Sequence, residues 1–141
     1  MTRPVPATGR SEAVVVTFLG FTGALLAFGI DTALPAFDEI RDRFDLAAGS
    51  GDVSLIVTVY FLGMAAGQLP VGPLSDRYGR IPVLQASLAL YIIGAVGATV
   101  STDFTAVLVS RFVWGFGASG PSVITYAIAR DLYDGDQMAR V

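Results

Sequence analysis

The sequence predicts an all-α integral membrane protein with four transmembrane helices, and three observations predict it. Hydrophobic residues make up 53% of the 141-residue chain, and the mean hydropathy is +0.63. A single soluble core of this size cannot bury so much apolar surface. Charged residues are only 15% of the chain and gather at the ends of four apolar runs. Each run is long enough for a helix of about 20 residues to cross roughly 30 Å of hydrocarbon.

Residues 1–12 form a polar amino-terminal tail. The first span is expected over 13–37, where Asp31 is the one charge. It is too long for the apolar region of a secretory leader, and an acid interrupts it, so it reads as an uncleaved helix. Residues 38–52, rich in acids, read as a loop. The second span, 53–75, and the third, 81–102, carry no charge; the fourth, 104–129, carries only Arg111. A charged turn at 76–80 separates spans two and three, and a tight turn around Ser101 to Asp103 separates three and four. Residues 130–141 form a second polar segment. Backbone groups in lipid must bond within their own segment, so the spans are helices.

Arginine placement sets orientation, and all nine basic residues are arginine. Outside the spans, Arg3, Arg10, Arg77, Arg80, Arg130 and Arg140 fall on one side. Arg41 and Arg43 fall on the other, among Asp38, Glu39, Asp42, Asp45 and Asp52. The positive-inside rule puts both termini in the cytoplasm of a multi-pass cell-membrane protein.

Composition also excludes chemistry. With no cysteine and no histidine, there are no disulfides, no thiolate metal sites and no imidazole base. No enzyme constellation is visible, and no cofactor, metal or nucleic-acid partner is expected. Asp131, Asp134 and Asp136 lack the spacing and the closing glutamate of a calcium loop.

Two charges fall inside spans. Asp31 precedes the end of span one by six residues, and Arg111 follows Thr105, near the start of span four, by six. At 1.5 Å per residue both lie about 9 Å below the same boundary, so depth allows them to pair or to share a watered cavity. A charge at that depth costs at least ~2.5–3.5 kcal/mol and ordinarily faces a cavity or a partner. Two readings stand for each. Asp31 is either solvated near the surface or the proton or cation acceptor; Arg111 either snorkels outward or partners the acid.

Small residues mark helix contacts. Gly63 and Gly67 make a GxxxG step in span two, Gly94 and Ala98 a looser one in span three, and Gly115, Gly117 and Gly120 crowd span four before Pro121. Such steps let helix backbones approach closely in lipid. Ordinary packing explains them, and a Gly120–Pro121 bend that moves during transport is the alternative.

The turn GPLSDRYGRIP, Gly72 to Pro82, concentrates Asp76, Arg77 and Arg80 among two glycines and two prolines. Glycine suits tight turning and close approach, and charge marks the cytoplasmic boundary. Asp76 is expected near the start of the next helix, where the positive dipole end favours an anion, leaving Arg80 to latch onto another carboxylate. A topogenic loop with no further duty is the plainer reading.

The stretch Gly72-Pro-Leu-Ser-Asp76-Arg77-Tyr-Gly79-Arg80 closely resembles the G-x-L-x-D-R-x-G-R-[KR] signature of the major facilitator superfamily. That signature lies in the same turn between spans two and three. Ile81 departs from it, standing where a second basic residue is common. Asp31-Thr-Ala-Leu-Pro35 is similar to the first-span motif of the drug:proton antiporters. Ser110-Arg111-Phe-Val-Trp-Gly115-Phe-Gly117-Ala is similar to the fourth-span motif, whose arginine is implicated in proton coupling. Together with ARDLYDGD, these stretches most resemble the bicyclomycin/chloramphenicol efflux branch, from about Ala13 onward.

The resemblance implies a twelve-helix transporter made of three-helix repeats, of which this chain holds one repeat and the first helix of the next. It implies proton-coupled efflux of small drug-like compounds, with the bilayer, protons, the compound and the rest of the transporter as partners. It implies that Asp76 and Arg80 join Arg130 or Asp131 at the foot of span four, a latch for the outward-open state. The chain is then expected to be the amino-terminal third of a transporter, unable to transport alone. Other readings are a four-span multidrug transporter acting as a homo-oligomer, and a membrane remnant without transport.

Overall fold

Among the described residues, three helices are long and apolar enough to cross a membrane, and the last of them lies between the other two. The computed structural model describes residues 16–17, 20–25, 27–29, 37–47 and 51–132, with side chains as far as Ala127. An apolar helical segment, α1 (Gly20–Gly29), is followed by a short helix, α2 (Phe37–Arg43). A 3₁₀ turn at Gly51–Val53 leads into α3 (Ser54–Tyr78), then α4 (Arg80–Val100) and α5 (Phe104–Leu132). The chain is all-helical where it is described, with three spanning-length helices and one shorter apolar segment. Residues 13–37 were expected to be one helix; positions 30–36, with Asp31 and Pro35, lie outside the described residues.

The long helices are apolar nearly all round, as lipid-facing helices are. Leu62, Leu69, Ile92, Ile93, Val96 and Val109 are exposed. Their inner faces build three layers along the bundle. Val53, Ile56 and Val107 form one end, Tyr60, Tyr91, Trp114 and Ala118 the middle, and Val71, Leu84 and Ile124 the other end.

Glycine makes the middle possible. A Cβ on Gly115 would strike the Tyr60 carbonyl, and one on Gly63 would strike the Phe112 backbone, so α3 and α5 touch main chain to main chain. Across the other face of α5, Gly94 meets the Trp114 backbone and Gly117 meets Tyr91 N and Ser87 O. Gly67 faces Ser119 and Phe116, and Gly120 faces Ser87. Close approach replaces the hydrophobic drive that lipid removes. Pro70, Pro73 and Pro121 lie inside helices that run on without a break.

The turns correct two expectations. The charged turn was expected over 76–80, but α3 continues to Tyr78 and α4 starts at Arg80, leaving Gly79 alone between them. Gly79 has φ 91° and ψ 156°, a region open essentially to glycine only. Gly72 does not serve the turn: it lies within α3, and a methyl there would meet nothing within 4 Å. Residues 38–52 were expected to be a loop, but Phe37, Ile40 and Phe44 share one helical face and pack on Val53, Ile56 and Val107. Acids in the first turn of α2 and arginines in its last suit the helix dipole.

At the α4–α5 connection, Asp103 caps α5 by accepting from Ala106 N at 3.0 Å. Arg43 reaches across to donate to Ser101 O at 3.1 Å. Its guanidinium also lies over Phe44, whose ring packs on Phe104 at 5.8 Å.

Candidate functional site

Arg111 projects from the first half of α5 into the middle layer, where it is 8% exposed. It does not reach the surface. Its Nη1 donates to the Gly29 carbonyl at 2.9 Å, and its guanidinium lies 4.7 Å from the centre of the Trp114 ring. Trp114 stands one turn along the same helix, so the cation and the ring share a face. Tyr60 from α3 and Tyr91 from α4 present edges to Trp114 at 6.1 and 5.6 Å. The cation thus lies over one ring, Trp114, which attracts it through a cation–π contact, and the two tyrosine rings pack against that tryptophan.

The first helix is tied to this cluster by polar contacts on one face. Thr125 Oγ1 donates to Thr22 Oγ1 at 3.1 Å, Tyr91 Oη to the Leu25 carbonyl at 2.6 Å, and Arg111 to the Gly29 carbonyl. The spacing of 22, 25 and 29 is that of a single helical face. Among the described residues, Tyr60 Oη and Arg111 Nε are buried polar atoms of this cluster without partners. Such groups are costly to strand in a low-dielectric interior.

Asp31, the predicted partner of Arg111, lies outside the described residues, two positions beyond Gly29 in sequence. Sequence reasoning overlooked Gly29, Tyr60, Tyr91 and Trp114. The Arg111–Trp114 step of three residues was the signal available for the last of these. The tyrosines carried none, because nothing local shows which face of a wholly apolar helix meets a neighbour.

At the opposite end, the motif residues straddle Gly79. Asp76 and Arg77 occupy the last turn of α3, and Arg80 opens α4. Asp76 was expected at a helix start; it stands at a helix end because α3 runs on to Tyr78. Arg77 stacks over Tyr78 at 5.2 Å. Asp76 at a carboxyl end and Arg80 at an amino end both oppose the local dipoles, a penalty of about 0.3–1 kcal/mol each. Arg130 and Asp131 lie on the final turn of α5, and their side chains lie outside those described. Among the described residues, no three acidic, cysteine or histidine side chains gather to hold a metal.

Comparison with known proteins matches residues 17–141 to the Major Facilitator Superfamily. The chain is 36% identical over 135 residues to a bicyclomycin resistance protein homologue of Haemophilus influenzae, covering 94% of this chain and 33% of that protein. It is 34% identical over 131 residues to a chloramphenicol resistance protein of Pseudomonas aeruginosa, covering 93% of this chain and 31% of that protein. It is 34% identical over 133 residues to YdgK, an uncharacterised MFS-type transporter of Bacillus subtilis, with 94% and 33% covered. The chain spans about a third of the length of these relatives. No solved structure matches it. The family match covers nearly all of this chain, which is all-helical where it is described, and the chain therefore belongs to the major facilitator superfamily of membrane transporters and is not an enzyme.

Proposed function

We propose that this chain supplies the first four spans of a secondary transporter that exports small drug-like compounds in exchange for protons. The observation that carries the reading is Arg111, buried in the middle layer and bonded to the first helix two residues before Asp31. An arginine kept in so apolar a place calls for a negative partner, and an acid that gains and loses a proton is the partner a coupled exchanger needs. Likeness to proteins named for bicyclomycin and chloramphenicol resistance supports compounds of that kind as substrates. In this reading both termini face the cytoplasm, Gly79 sits at the inner surface and α2 at the outer one.

The test is proton-driven chloramphenicol efflux by the native gene product in inverted membrane vesicles. Asp31→Asn is expected to abolish it with insertion intact; undiminished efflux in that variant rejects the coupling role. We assign Asp76 and Arg80 to a cytoplasmic latch with the foot of α5, because they flank Gly79 at the ends of α3 and α4 within the stretch that resembles the family signature. Asp76→Asn is then expected to slow interconversion between inward- and outward-open states. Lost substrate affinity with normal interconversion counts against the latch.

A further inference from the structure

Neither the motifs nor the coupling pair accounts for Tyr60. It is 1% exposed, and its ring is fixed edge-on against Trp114 and Phe61, with centroids 6.1 and 5.9 Å away. Yet among the described residues its buried Oη has no hydrogen-bond partner. Phenylalanine would fill the same space without stranding a hydroxyl.

The hydroxyl points at the first helix, where a Cβ on Gly29 would lie 2.5 Å from Oη. The Gly29 carbonyl is the same group that accepts from Arg111 Nη1. Arg111 Nε is likewise a buried donor without an acceptor among the described residues. Donors lacking acceptors around a guanidinium make a site for an oxygen atom that carries negative charge.

We propose that Tyr60 is a third member of the Arg111 site, its hydroxyl donating a hydrogen bond to a carboxylate or similar oxygen brought to Arg111. The oxygen belongs either to the protein's own acid or to the transported compound. This rests on Arg111 being the coupling cation. It adds a group that the family motifs in this chain do not contain.

Tyr60→Phe separates the role from packing. In the native gene product the variant is expected to keep or raise its thermal stability, yet to lose about ten-fold in chloramphenicol efflux. An acceptor on the protein's acid shifts the pH profile of efflux and leaves KM alone; an acceptor on the compound raises KM and leaves the profile. Wild-type efflux, KM and pH profile together overturn the proposal. So does a fall in stability large enough to explain the loss, which makes Tyr60 a packing residue.

The emission that is lost in Trp114→Phe reports this tryptophan, which packs on Tyr60 and Arg111, and gives a readout free of transport. The pH titration of that emission in nanodiscs shifts in Tyr60→Phe if the hydroxyl serves the site, and an unchanged titration counts against it. Asp31→Asn assayed in parallel keeps the two ideas apart. Undiminished efflux there rejects the coupling pair, whereas the Tyr60→Phe titration judges Tyr60 alone.

Discussion

Arg111 is held by shape as well as by charge. A planar guanidinium can lie flat on Trp114 while one of its nitrogens donates to Gly29. An ammonium is a compact point charge with a stronger hold on water, and it does neither well in so apolar a layer. Arg111→Lys therefore keeps the charge and loses the placement. The expected result is efflux reduced by about ten-fold or more and a red shift in Trp114 emission, with the chain still inserted. Efflux and emission both at wild-type level show that charge alone suffices.

Between helices, the decisive variable is how near two backbones come. Gly115 faces the Tyr60 carbonyl, which cannot swing aside as a side-chain end can. Gly72 lies in a helix of the same composition and faces open space. Gly115→Ala is expected to destabilise the α3–α5 contact by about 1–3 kcal/mol, as overpacking does. Gly72→Ala is expected to leave stability unchanged or raise it by about 0.5–1 kcal/mol through helix propensity. Thermal unfolding of the two variants in one detergent decides it. Equal costs would mean that the open space around Gly72 is filled in the protein as it occurs in membranes.

Over the whole molecule, the arginine distribution gives an orientation that the bundle itself does not carry. Single cysteines placed at Arg10 and Asp42, each compared with the parent protein lacking the added cysteine, report on the two sides of the membrane. A membrane-impermeant maleimide applied to intact cells is expected to label Asp42→Cys and spare Arg10→Cys. The reverse pattern turns the protein over and places the Gly79 turn outside. It would also remove the cytoplasmic latch.

The sequence by itself determined that the chain is helical and belongs in a bilayer, because length and hydropathy alone decide whether a segment can cross hydrocarbon. It also determined that Arg111 and the turn carrying Asp76 and Arg80 were the charges to explain, since a charge among apolar residues is visible in one dimension. The Gly63–Gly67 step was legible for the same reason: small residues four apart lie on one face wherever the helix goes.

Only the tertiary structure decided what each face meets. α3 to α5 are apolar nearly all round, so no periodicity distinguishes the lipid side from the side that packs on a neighbour. That is why Tyr60, Tyr91 and Gly29 drew no notice and why Gly72 was assigned to a turn it does not make. The helical character of α2 escaped for a different reason. Its acids and arginines read as a solvated loop, and its apolar stripe gains meaning only against Val53, Ile56 and Val107. Contacts between residues far apart in the chain, such as Arg111 with Gly29, depend on how helices pack, and packing is a property of the assembled bundle.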